Sequence, residues 1–423
     1  MNNQDKGMQR AVILWLSGSR FADICALPEV EKLVARGVKV ELMPSTITGP
    51  QAQHYQILSG KSPARFGFFD TLLPLSRLAR PVSGKSGYTI VEEQGGRDSA
   101  PRFLPDNLRQ AGWSVQYEEM PLSALQAYAE HLPSETTSAH CEIIKVSLDA
   151  QPLTGAAALS IAETVRIARQ WVGESGLFAL LSDSQSAPVK RFVNLNNFLV
   201  DMGIIEQDDQ KNQINWSNSL AYFAGHGQIW INLLGRDPQG AVHPQDEYEE
   251  VCETLAKALP IKVRDAETGE SVVERVYRKE ELYVGDYLFC APDLVVQFKP
   301  GYAPSARSAH LEFDEEVITS PEPGATAIAG MHPEAIKGYL LACGPALVGG
   351  QSLSTPASLT AVVPTLLHAL GVEYVDMDEV AISAVFTPSY LEVHPVQSNA
   401  QSQQLSEEDE ELVINRLRDL GYI

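Results

Sequence analysis

Five polar positions, each closing an apolar run or lying in the loop behind one, could do chemistry together: Ser17, Thr48, Asp149, Asp183 and His332. In an open α/β sheet the carboxyl ends of the strands share one edge, and ligands bind there. Residues far apart in the chain can therefore converge. Two carboxylates and an imidazole gathered at such an edge make a ligand set for Zn²⁺ or a similar ion. A threonine at a helix N-terminus beside metal ions is a nucleophile for phosphoryl or sulfuryl transfer, its hydroxyl activated by coordination. On this basis Thr48 is the candidate nucleophile, and Asp149, Asp183 and His332 are the candidate metal ligands. Polar strand ends occur in any α/β protein, and a helix-capping aspartate is the plain alternative for Asp183.

The elements that must position these groups follow from apolar runs and turn residues. Ala11–Leu16 is a buried-strand candidate ending at Ser17-Gly18-Ser19. Leu27–Ala35 has helical spacing with Gly37 as C-cap, Val38–Met43 is a second strand, and residues 44–50 form the loop holding Thr48. Gln51–Leu58 is a short helix. After an irregular stretch over 71–100, Asn107–Ala111 and Trp113–Tyr117 restore the helix-then-strand rhythm. Glu142–Leu148 is a strand ending at Asp149, and Ala156–Val172 is a helix. Leu177–Leu181 is a buried strand stopping at Ser182-Asp183-Ser184. This order predicts a doubly wound, mostly parallel sheet with helices on both faces.

Beyond residue 205 the character changes, with polar stretches, a hairpin-like QIWINLLGRDPQG and a Glu-rich helix near Glu247–Leu259. The chain is expected to return to the sheet with Asp293–Phe298 and Gly338–Ala342, then form an apolar helix over Thr360–Leu370. The resulting division is an α/β core over 1–205 and 290–394, a peripheral insertion or cap over 206–289, and a linker with a C-terminal helix over 395–423. Ser406 and Asp409 make a capping-box-like start to that last helix.

With 54 acidic against 32 basic side chains, the net charge of −22 argues against a nucleic-acid or anionic-membrane surface. No run of 18 apolar residues occurs, so no membrane span is expected. Cys25, Cys141, Cys252, Cys290 and Cys343 are scattered, odd in number and without metal-type spacing. They read as free thiols in a reducing compartment, and the chain as cytoplasmic. Neither the dinucleotide nor the Walker glycine spacing is present.

The residues carry a resemblance to the alkaline phosphatase superfamily, in its type I phosphodiesterase/nucleotide pyrophosphatase branch. AVILWLSG resembles the first strand and its ligand turn, and TITGPQAQHYQILSGKSPARFGFFD resembles the nucleophile segment. LLSDSQSAPVKRFVNLNNFLVDMGII resembles the Ser-Asp-His-Gly segment and the helix after it. INLLGRDPQG, APDLVVQFKPGY, VVPTLLHALGVEYVDMD and the closing LSEEDEELVINRLRDLGYI resemble further landmarks, so nearly the whole chain is covered. The resemblance implies two metal ions flanking a nucleophilic threonine or serine.

The departures fall on the implied ligands. The first-strand aspartate corresponds to Ser17, the Asp-x-x-x-His pair to Asp149 and Leu153, and the Asp-His pair to Asp183 and Ser184. Thr48 corresponds best to the nucleophile, although its spacing to Ser59-Gly60 is about two residues long (roughly half a helical turn), so that Pro50 competes for the place. Two-metal catalysis needs both cations fixed about 3.5–4 Å apart, and the surviving ligands are too few for that. The first expectation is a degenerate phosphodiesterase that binds a protein partner or a small anionic ligand in the old cleft, with no cofactor. The alternatives are an active phosphodiesterase or phosphatase using Thr48 and one Zn or Mn ion, and a scaffold subunit. Among the other side chains, His54 could substitute as a ligand but is read as surface or helix-packed. His226 sits in a Gly-His-Gly turn that backbone need explains equally well. His368 is read as structural, and Lys61 and Arg65 as a solvated loop face.

Overall fold

The strand Arg10–Ser17 (β1) is apolar along almost its whole length because it is covered on both faces. In chain order the other strands of the two larger sheets are β2 (Val38–Met43), β3 (Ser114–Glu119), β4 (His140–Ser147) and β5 (Leu177–Ser184). Next come β6 (Ala221–Ala224), β7 (Gln228–Ile231), β8 (Val273–Arg278) and β9 (Leu294–Phe298), then β10 (Lys337–Cys343), β11 (Gln351–Ser352) and β12 (Ala357–Ser358). The computed structural model describes residues 10–44, 49–70, 72–74, 88–92, 102–136, 138–148, 153, 155–208, 213–314, 316–328 and 330–396.

The main sheet runs β11-β2-β10-β5-β1-β4-β3, with β12 also on β2. β1 pairs in parallel with both β4 and β5, and β10 is antiparallel to both of its neighbours. This is the doubly wound, mostly parallel sheet expected. Side-chain alternation sorts the strands onto two faces. Ala11, Ile13, Trp15, Leu177, Ala179 and Leu181 enter one core, while Val12, Leu14, Leu16, Phe178 and Leu180 enter the other. Each large side chain so buried contributes about 1.5–3 kcal/mol, so a slip of one residue in β1 would exchange two full cores.

Helices α1 (Pro28–Arg36), α2 (Pro50–Ser59), α3 (Leu104–Gln110), α4 (Leu122–Glu130) and α5 (Gly155–Val172) flank this sheet. Ile57 of α2 and Leu104 and Leu108 of α3 cover the Trp15 face. Val30, Leu33, Leu125, Ile161 and Val165 cover the other. Gly37 caps α1 in an extended conformation, φ −104°, not the left-handed one. Glycine is needed there because a Cβ would lie 2.5 Å from the Ala342 carbonyl oxygen.

Three expectations change. β5 does not stop at Leu181 but runs through Ser184, because the ladder to β10 continues from Tyr339↔Ser182 to Lys337↔Ser184. Helix α4 follows β3 where no element was expected. The strand Leu294–Phe298 does not rejoin the main sheet; it pairs with β7 and β8 in a four-stranded antiparallel sheet, β6-β7-β9-β8. Helix α6 (Asp246–Lys262) covers that sheet with Val251, Cys252, Leu255 and Leu259. The helix α7 (Val362–Ala369) lies within the expected Thr360–Leu370 span. Thr48 and Asp149 lie outside the described residues, as do Ser406, Asp409 and the helix expected after them. No helix among the described residues is long and apolar enough to cross a membrane.

Candidate functional site

Asp183 is odd-numbered on β5 and so faces the same side as Trp15 and Ser17 of β1 and the helix α2. Its carboxylate is fully buried. Trp15 Nε1 donates to Oδ1 at 3.0 Å and Ser184 Oγ donates to Oδ2 at 3.2 Å. His54, from the middle of α2, places Nε2 3.2 Å from Oδ2 and 3.0 Å from Ser17 Oγ. Its ring also meets the Trp15 indole edge-on at 5.1 Å. Burial pushes the Asp183 carboxyl up, but the His54 charge and hydrogen bonds from His54, Trp15 and Ser17 outweigh it and hold the group at about 2. The indole N–H can only donate, which suits an ionised carboxylate.

Serine, histidine and aspartate meet here, yet they do not make a nucleophilic triad. A triad hangs the aspartate on Nδ1 and the serine on Nε2, so the imidazole can draw the serine proton. Here both groups converge on Nε2. A proton on Nε2 directed at Asp183 leaves no lone pair to accept one from Ser17, so Ser17 is not activated.

A second imidazole–carboxylate pair lies beside Gly49, at the start of α2. Asp70, fully buried, accepts from His226 Nδ1 at 2.8 Å, from the His226 backbone N–H at 2.9 Å and from Gln228 Nε2 at 3.1 Å. Gly49, the residue after Thr48, approaches it so closely that a Cβ would lie 2.6 Å from Asp70 Oδ1. Gly225 takes φ 64° and its Cβ would lie 2.9 Å from Asp70 Oδ2. The Gly-His-Gly turn thus serves both a backbone need and a side-chain contact. Burial raises the Asp70 carboxyl, while the charge and hydrogen bonds of His226 lower it more, so it stays below its ordinary value.

His332 is engaged elsewhere. Its Nδ1 accepts from the Glu334 backbone N–H at 3.2 Å, while its Nε2 lies 2.7 Å from Glu274 Oε2 and 2.8 Å from Gln297 Nε2. It shares no hydrogen-bond partner with Asp183 among the described residues. Leu148, which precedes Asp149, donates its N–H to the Ser17 carbonyl at 2.9 Å. Lys61 and Arg65 both pair with Asp376, and Arg65 also pairs with Asp378, so neither is a bare cation. His368 accepts its expected structural role, packed edge-on against Phe386 and Tyr390.

Sequence reasoning named His54 as a possible substitute ligand but preferred a surface or helix-packed role for it, and it missed Asp70. His54 sits on a helix whose buried face is partly polar, with Gln53 and Gln56 fully buried beside Ala52 and Ile57, so no apolar stripe marks which side faces inward. The one available signal was the spacing of His54 just downstream of the candidate nucleophile loop. Asp70 is separated from His226 by 156 residues, which no motif spans.

Thr48 and Asp149, two of the expected members of a metal centre, lie outside the described residues. A zinc site takes three or four protein ligands, and no three His, Cys, Asp or Glu side chains among the described residues group closely enough to hold an ion. Asp183 and His54 supply one carboxylate and one imidazole, already turned toward each other.

The chain has an alkaline-phosphatase-type α/β fold. In particular, its chain path is similar to solved structures of ectonucleotide pyrophosphatase/phosphodiesterase 5. The murine protein in an inactive form in complex with AMP matches at 13% identity with a TM-score of 0.59, over 90% of this chain and 100% of that one. A second murine structure matches at 13% with a TM-score of 0.57 over 88% and 97%, and the human protein at 13% with 0.52 over 92% and 100%. At this identity the likeness establishes the fold. No family model matches the sequence, and no curated protein sequence matches it.

Proposed function

We propose that this chain uses a phosphodiesterase fold to bind a small phosphate-bearing anion at the carboxyl edge of its main sheet, without two-metal hydrolysis. One observation carries the reading: His54 Nε2 lies within hydrogen-bond distance of both Ser17 and Asp183. A cation bridging the ends of β1 and β5 would have to stand in that same place, because metal–oxygen contacts of about 2.0–2.2 Å leave no room for the ring. When protonated, the imidazole supplies positive charge to a buried carboxylate that would otherwise be unpaired. The ligand class is supported by the murine structure of the same fold, which holds AMP. A cytoplasmic setting belongs to this proposal and is supported by five cysteines, four of them buried, that form no disulfide among the described residues.

Calorimetric titration of the full chain with AMP, in EDTA and again in added Zn²⁺, tests the reading. The expected result is binding of similar affinity in both buffers, with no AMP consumed. Binding that appears only with Zn²⁺ overturns it.

A further inference from the structure

We propose that His226, locked in place by Asp70, is the side chain that donates a hydrogen bond to the phosphate-type oxyanion. The inference rests on the anion-binding reading above and names the residue that makes the contact. The Asp70 side chain is 1% exposed and holds His226 at two points, the ring through Nδ1 and the main chain through the backbone N–H. Nδ1 must carry the hydrogen, since a carboxylate only accepts. That leaves Nε2 at the far side of the ring, with no hydrogen-bond partner among the described residues, on a side chain that is 22% exposed. A partly exposed imidazole whose other nitrogen is tied to a buried carboxylate is oriented and electrostatically prepared to act on something from solvent.

The surroundings are built to keep this pair. Gly49 and Gly225 leave open the space in which Asp70 sits, and neither would tolerate a Cβ without moving the carboxylate. Gln228 gives its amide N–H to Asp70 and leaves its Oε1 buried without a hydrogen bond. Burial lowers the proton affinity of His226, but the Asp70 charge and hydrogen bond raise it above the ordinary value. In the protonated ring, which the Asp70 carboxylate favours, Nε2 also bears a hydrogen and can donate. Gly49 is the N-cap of α2, so the pair borders the N-terminal end of that helix. Lys61 and Arg65, the obvious competitors for an anion, are tied to Asp376 and Asp378.

The test is titration of the full chain with inorganic phosphate, and in parallel with AMP, for wild type, His226→Ala, Asp70→Asn and His54→Ala. Loss of at least tenfold in affinity for both ligands in His226→Ala, and of threefold or more in Asp70→Asn, is the expected result. Unchanged affinity in His226→Ala, with wild type binding normally, overturns the inference and leaves the anion-binding reading standing. Absence of binding in wild type overturns both. Should His226→Ala fail to fold, the imidazole Nε2–H resonance of wild type decides: a shift on adding phosphate supports the contact, and no shift at saturating phosphate overturns it.

Discussion

Trp15 holds Asp183 across the boundary between the two central strands, its indole N–H 3.0 Å from a carboxylate oxygen that no solvent reaches. That bond exists because both residues are odd-numbered on adjacent parallel strands, so the pleat turns them to one face. The carboxylate is then committed on both oxygens, and the acid behaviour of the fold follows from it.

Asp183 has a lower proton affinity folded than unfolded. Its contribution to stability is therefore fully present above the unfolded value, about 3.9, and is lost as pH falls through the folded value of about 2. The size is about 2 kcal/mol. Denaturant unfolding between pH 6 and pH 2.5 should show wild type losing stability in that window more steeply than Asp183→Asn. Parallel curves for the two proteins would contradict the assignment.

His54→Ala removes the imidazole and strands a buried negative charge with only Trp15, Ser184 and Ser17 as partners. Breaking one side of a buried pair costs about 3–5 kcal/mol. His54→Gln, which keeps a donor, should recover part of that loss. A thermal midpoint for His54→Ala equal to that of wild type would mean the pair is ornamental.

Gly49→Ala should destabilise through Asp70 and not through backbone strain, since φ is −61° and any residue can adopt it. The new methyl would lie 2.6 Å from Asp70 Oδ1. Overpacking of this kind costs about 1–3 kcal/mol. The discriminating measurement is the double variant: in an Asp70→Ala background the Gly49→Ala penalty should shrink, and equal penalties in the two backgrounds would show that the clash is not with this carboxylate.

Much of this architecture was legible in the sequence, and the reasons are local. Ala11–Leu16 and Leu177–Leu181 are apolar runs bounded by turn residues, and their burial on both faces needs nothing beyond that pattern. The strand Leu294–Phe298 was equally legible as a strand, but its sheet was not, because a continuous apolar run fits a buried antiparallel strand as well as a parallel one. The site was less readable for the same kind of reason. Asp183 announces itself at a strand end, whereas His54 reaches it from a helix face that has no apolar stripe. The Asp70–His226 pair depends on a meeting of two loops far apart in the chain.

His332 supplies a control. Its Glu274 partner is nearly half exposed, and exposed pairs contribute about 0–1 kcal/mol. Glu274→Ala should therefore leave the unfolding midpoint within a few degrees of wild type, and anion affinity unchanged. A tenfold loss of AMP affinity in that variant would place His332 in the site after all.

The most direct measurement is a count of bound metal: equilibrium dialysis of the full chain against micromolar Zn²⁺ or Mn²⁺, followed by elemental analysis and an assay of bis(p-nitrophenyl) phosphate hydrolysis. The account predicts fewer than two equivalents of either ion and no turnover above buffer. Two bound equivalents, with turnover that Asp183→Ala abolishes, would contradict it.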